Sequence, residues 1–319
     1  MLAAGAAGLG LAAPAPAAVV ARERATTPID AYAGHAVWSS YDRRARRYRL
    51  VAWYAGKRHR LPVAPRRTPF DADLGADERG GVQAVYSRCR REPTGGCDLY
   101  RYSFATRTER RLAISSPRGS EGMPTVSGRH VAFVRYATVP RIYVGTIGGE
   151  GHVRRLRGGT RERNAAGGDT GPASLDLAGS RLAVAWVYEP RRCGGRPVDD
   201  ADTAFANELW LYRANGGRRR LLGRGCDLDA TADRRFDDVS LAGARRLAFT
   251  LGTRGGGFVM RRLDTRTGRA RDADLTGLSS SYMASVQDGR WTWVVLSGRR
   301  TRIERHRLRF APARQPAGG

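Results

Sequence analysis

The sequence is nearly without lysine. Of its 56 basic residues, 55 are arginine, and Lys57 stands alone. A chain selected purely to hold polyanions is expected to mix the two. The arginine excess, with abundant Ala and Gly, therefore reads first as the coding bias of a high-GC genome. An electrostatic role is the second reading. Only 30 acids oppose the bases, the net charge is +26, and such a field draws anionic polymers whatever its origin. Histidine is scarce as well. His35, His59, His130, His152 and His306 recur beside arginine, and no two stand at a ligand spacing such as i, i+4. They read as solvated or half-buried positions rather than a metal centre. No G-x-S-x-G elbow is present, and no hydrolase domain follows the repeats, so the chain does not match the propeller-plus-peptidase pattern. No internal segment approaches the ~20 apolar residues of a membrane-spanning helix.

The N-terminus departs from this polar background. Leu2 to Ala13 is an apolar run of the length of a signal-peptide core, and Ala15-Pro16-Ala17 fits small-residue cleavage after Ala17. The basic segment that should precede it is missing. Residues 1–17 are read as a signal peptide truncated at its start, 18–312 as one domain, and 313–319 as a disordered tail. The expected setting is extracellular or in the cell envelope.

The middle of the chain repeats. A short segment ending in glycine is followed by an apolar strand, a second strand and an Arg-Leu strand. The third copy shows it most plainly, as MPTVSG, RHVAFVRY, RIYVGTI and HVRRL. The other copies open with IDAYAG, FDADLG, SLDLAG, DVSLAG and ASVQDG. Their marker glycines are Gly34, Gly75, Gly128, Gly179, Gly243 and Gly289, spaced 41, 53, 51, 64 and 46 residues apart. Periods of this size with about four short strands each predict an all-β fold, a six-bladed β-propeller with four antiparallel strands per blade. Alternating apolar residues such as Val131 and Phe133 fit strands with a buried face. The sixth copy has no clear fourth strand, and an open blade edge leaves unpaired backbone groups. Val19 to Arg24 is expected to supply that strand and close the ring. The order P-x-V-S-G-R-x-V-A-F-V, I-Y-V, R-R-L resembles the repeats of TolB-like six-bladed propellers over residues 28–310. The usual S-P-D-G turn is reduced here to SG, AG and QDG. The resemblance implies a fold and no particular activity.

Four cysteines remain to be placed. Cys89 and Cys97 face each other across one hairpin, between the second and third strands of blade 2. Cys193 lies in the corresponding loop of blade 4, and Cys226 in the link that leaves that blade. Geometry selects the pairs 89–97 and 193–226 among three connectivities. An even count with an export signal favours disulfides. C-x-x-C redox spacing and the close spacing of a zinc site are both absent.

Two acid clusters stand against the positive background. Asp71, Asp73, Asp77 and Glu78 fall in FDADLGADE, loosely like a calcium loop. Asp199, Asp200 and Asp202 would lie near Asp227, Asp229 and Asp233 once Cys193 joins Cys226. Calcium is the ion such oxygen sets would take, but neutralising neighbouring arginines is the stronger reading. No cofactor and no catalytic residue is assigned. Trp38, Phe133, Trp186, Trp210 and Trp293 read as core between blades. The sequence thus favours an exported, monomeric, non-catalytic binding or scaffold module. Its protein or envelope-polymer ligand would sit on the face bearing the loops between second and third strands. A propeller enzyme, such as a metal-dependent lactonase or glycan-active hydrolase, is the alternative. It would need carboxylates and often Asn or His at the channel mouth, and Asn164, Asn207 and Asn215 all lie off the innermost strands. A binder of anionic polymers is the third reading.

Overall fold

The computed structural model describes residues 18–312 apart from 26, 92–94, 117–118, 150–151, 159–169, 194, 199–204, 216, 218, 228–235, 254–256, 275–282, 290 and 297–299. The expected signal segment and tail lie outside the described residues. No helix occurs among the described residues, and so none is long and apolar enough to cross a membrane.

The chain opens with β1 (Ala18–Glu23) and then lays down six antiparallel blades from the axis outward. Blade 1 holds β2 (Ile29–Tyr32), β3 (His35–Asp42), β4 (Arg47–Tyr54) and β5 (Lys57–Arg60). Blade 2 holds β6 (Asp73–Ala76), β7 (Val82–Arg91), β8 (Gly95–Ser103) and β9 (Thr108–Arg111). Blade 3 holds β10 (Ser120–Ser127), β11 (His130–Tyr136), β12 (Arg141–Thr146) and β13 (Val153–Arg155). Blade 4 holds β14 (Gly171–Ala178) and β15 (Arg181–Tyr188), then a small hairpin of β16 (Arg192–Cys193) and β17 (Arg196–Pro197), then β18 (Phe205–Arg213) and β19 (Arg219–Asp227). Blade 5 holds β20 (Phe236–Ala242), β21 (Arg246–Thr253), β22 (Gly257–Asp264) and β23 (Ala270–Asp274). Blade 6 has three strands of its own, β24 (Met283–Asp288), β25 (Trp291–Leu296) and β26 (Thr301–His306). Its fourth is β1, which pairs with β26 from Ala18↔Arg305 to Glu23↔Thr301. The ring is closed as expected, one residue earlier than Val19–Arg24. The last described residues form β27 (Ala311–Pro312), a fifth strand on the edge of blade 5 that the sequence did not suggest.

There is no single core. Buried apolar side chains form six clusters, one at each joint between neighbouring blades. Trp38 and Trp293 meet at the joint of blades 6 and 1, and Phe70 and Tyr86 at that of blades 1 and 2. Val85 and Phe133 fill the joint of blades 2 and 3, and Ile142 and Trp186 that of blades 3 and 4. Leu209 and Phe249 mark blades 4 and 5; Met260 and Val294 mark blades 5 and 6. Each blade offers apolar side chains on both faces, because strand residues alternate from one face to the other.

Three expectations are corrected. Gly75 is not at a turn. It lies inside β6, and the turn of blade 2 runs from Asp77 to Gly81, closed by Asp77 N to Gly81 O at 2.8 Å. Gly75 is small because blade 3 passes close by, and a Cβ there would collide with the Val126 carbonyl. His306 is buried rather than half exposed. Strand β1 covers β26, and His306 Nε2 lies 2.9 Å from Glu304 Oε2. The third concerns the acids of blade 2.

Candidate functional site

Asp71, Asp73 and Asp77 are spent mainly on main-chain and hydroxyl donors, not on arginines. Asp71 accepts from Ser87 N (2.9 Å), Ser87 Oγ (2.8 Å) and Met123 N (2.9 Å), with Arg66 Nη1 more distant at 3.8 Å. Asp73 accepts from Val126 N at 2.8 Å. Asp77 holds its own turn, accepting from Arg79 N and Gly81 N. Glu78 alone pairs as expected, with Arg101 at 2.9 Å. A local acid-rich motif thus resolves into unsatisfied backbone donors finding acceptors. Among the described residues no three His, Cys, Asp or Glu side chains converge on a point that could hold a metal ion. Asp199, Asp200, Asp202, Asp229 and Asp233 lie outside the described residues, as does the side chain of Asp227.

Asp73 belongs to a ring that sequence reasoning missed. On four of the six innermost strands a polar side chain reaches forward to the next blade. Asp30 of β2 accepts from Leu74 N of β6 at 2.6 Å. Asp73 of β6 accepts from Val126 N of β10. Thr125 of β10 accepts from Leu177 N of β14 at 2.8 Å. Asp176 of β14 accepts from Leu241 N of β20. Leu74, Val126 and Leu177 each follow the next acceptor by one residue, so one rule repeats over blades 1 to 4. Two similar bonds lie nearer the turns: Ser127 Oγ accepts from Gly179 N, and Asp288 Oδ2 from Gly34 N, both at 2.8 Å. The available signal was a polar residue three or four places ahead of the turn glycine, in Asp30, Thr125 and Asp176.

These carboxyls sit in an unusual field. Burial pushes Asp30 up to about 7, helped by the charge of Asp176 on the opposite blade. Burial raises Asp176 to about 6, against the bonds it accepts. Asp73 is raised well above the ordinary carboxylate range, by burial first and then by Asp30 and Asp176. Asp73 is buried, whereas Asp30 and Asp176 lie deep among protein atoms yet keep part of their surface open. Charged carboxylates gathered at one axis repel, and low solvation sharpens the effect.

The second region lies at the rim. Loops between second and third strands, and links between blades, occupy one face of the ring. There a cavity of about 450 Å³ opens between blades 1 and 2. Three segments build it: Arg47 at the start of β4, residues 64–67 of the link, and Arg88 to Arg91 at the end of β7. The link is pinned by a two-way backbone bridge between Arg66 and Tyr48. The end of β7 is pinned by the Cys89–Cys97 disulfide, formed across a direct strand pair with Cα atoms 3.7 Å apart. Cys193 and Cys226 form the second disulfide, on the same face of blade 4. Two disulfides fit an oxidising, non-cytoplasmic setting. Trp38, Phe133, Trp186 and Trp293 are fully buried, and Trp210 is half-buried with its ring N–H on Glu208.

No protein-family model matches the chain. No curated protein matches it in sequence either. Solved structures resemble it in shape. TolB from Acinetobacter baumannii superposes with a TM-score of 0.54 at 16% identity, over 88% of this chain and 67% of that one. A Bacteroides thetaiotaomicron protein of unknown function gives 0.53 at 11%, over 92% and 72%. A chain of the mitotic checkpoint complex gives 0.52 at 10%, over 97% and 99%. Likeness at such identities speaks to architecture alone. In fold, the chain is a six-bladed β-propeller, an architecture similar to that of TolB.

Proposed function

We propose that this chain is an exported, non-catalytic binding propeller of the cell envelope. It folds as one ring over residues 18–312, behind a signal segment over 1–17, and works as a monomer. Its protein or polymer ligand docks on the face bearing the loops between second and third strands. The observation that carries this reading is the commitment of the axial acids. Asp30, Asp73 and Asp176 each give a carboxylate oxygen to a main-chain N–H of the next blade. A metal-dependent lactonase or glycan hydrolase would turn such groups toward its substrate; here they hold the ring together. The rim cavity and both disulfides support the choice of face.

Hydroxyl-radical footprinting of the folded chain with purified envelope polymers tests the reading. Protection is expected at Arg47 and Arg88–Arg91, with none at the turns of the opposite face. A lactonase and glycosidase screen runs beside it. Turnover that disappears in Asp176→Asn would replace the binding module with an enzyme.

A further inference from the structure

The rim cavity is not an average sample of an arginine-rich chain. Arginine makes up 55 of 319 residues, about one in six. Of the nine residues that line the cavity, six are arginines, Arg47, Arg66, Arg67, Arg88, Arg90 and Arg91, and none is acidic among the described residues. Coding bias raises arginine everywhere. It does not gather six around one concave space and keep acids out of its lining.

Two of the six side chains, Arg66 and Arg88, are also held in place. Arg66 is buried, with 7% of its surface exposed, and forms the floor. Its guanidinium donates to Ser87 O at 2.6 Å and to Thr68 Oγ1 at 2.9 Å, and lies 5.3 Å from the Phe70 ring. Arg88 is fixed by Glu109 at 2.8 Å and lies 4.7 Å from the Tyr100 ring. Behind Arg90 stands Asp98 at 3.7 Å, already claimed by Arg111 at 2.8 Å. Behind Arg66 stands Asp71 at 3.8 Å, already accepting three other bonds from Ser87 and Met123. Three carboxylates behind the lining thus oppose six guanidiniums around the space. With two guanidiniums already fixed, a positively charged concavity has fewer side chains to order when it binds an anion.

We infer that this cavity is a binding site for clustered phosphate groups, supplied by a free oligophosphate or by a phosphodiester-linked polymer strand. The inference rests on the binding-module reading and names its ligand chemistry. The guanidinium fork matches phosphate oxygens in pairs. Each phosphate presents several acceptor oxygens on one centre, and linked phosphates stand close together, so a short run of them can meet several guanidinium forks within one cavity. The volume is that of a small-ligand site, which span roughly 300–1,000 Å³.

Calorimetric titration of the folded full chain decides the matter. The probes are sodium tripolyphosphate, a glycerol-phosphate oligomer, orthophosphate and citrate, each at low and high salt. Tripolyphosphate is expected to bind at least tenfold more tightly than orthophosphate or citrate, weakening with salt. The triple variant Arg47→Ala, Arg90→Ala, Arg91→Ala should lose at least tenfold. A control triple, Arg107→Ala, Arg266→Ala, Arg269→Ala, removes equal charge from turns of the opposite face and should change affinity less than twofold. Thermal melts establish that both variants fold. Oligomer binding as tight as tripolyphosphate assigns the source to a polymer chain; tripolyphosphate binding alone assigns it to a free ligand. Equal losses in the two triples, citrate as tight as tripolyphosphate, or no binding would each overturn the site. A polymer footprint that persists in the cavity triple would overturn the phosphate site and leave the binding-module reading standing.

Discussion

At the scale of single residues, the axial carboxyls make the sharpest prediction. A carboxyl whose folded pKa is raised takes up a proton that the unfolded chain releases. Its contribution to stability is complete below the unfolded value of 3.8 and is lost as pH rises through about 6 for Asp176 and about 7 for Asp30. Asp176→Asn keeps an acceptor for Leu241 N and removes the titration. The variant should melt on the order of 2–4 °C above the parent at pH 8, with the gap narrowing as pH falls and closing below the unfolded value of 3.8. A gap that does not vary with pH would show that charge at the axis is unimportant. Gly75 gives a second test. A methyl group there meets backbone rather than a movable side chain, so Gly75→Ala should cost about 1–3 kcal/mol in a denaturant melt.

At the scale of elements, β1 joins the two ends of the ring. Glu23 is its anchor. Its Oε1 accepts from Trp38 Nε1 at 2.8 Å and from Arg58 at 3.0 Å, and its Oε2 from Ser40 Oγ at 2.9 Å. One side chain on blade 6 therefore satisfies three donors on blade 1. Glu23→Ala should lower stability by about 1–3 kcal/mol, the cost of leaving buried partners unmet. Deleting residues 18–26 should lower the melting temperature far more, since it also strips β26 of its ladder; an unchanged melt would refute the closure. The strands themselves were legible, because alternation and turn glycines are local signals, and HVAFV or RLAVAW carries its pattern within a few residues. Gly75 was misread because D-L-G mimics a turn where the chain continues straight. The axial acids were missed because their partners lie one blade away in sequence. Asp30 alone looks like any surface acid until Leu74 is placed beside it. The rim cavity escaped for the same reason, being assembled from residues near 47, 66 and 90.

At the scale of the whole molecule, stability is distributed over six joints rather than concentrated in one core. Among the described residues the joint of blades 5 and 6 has the smallest buried set, Ala248, Met260, Val294 and Leu296, with Leu308 and Phe310 packed at its border. Arg262 lies 4.3 Å from the Phe310 ring, and β27 clips the chain end to blade 5 beside it. The pairing of Ala18 with Arg305 also sets an order of events. The strand made first is seated last, because its partner emerges only when nearly the whole chain exists. Until then Trp38 has no acceptor for its ring N–H, and the inner face of blade 1 stays open to solvent. Long-range pairing of this kind makes folding slow, and the unfinished arc exposes an apolar edge throughout.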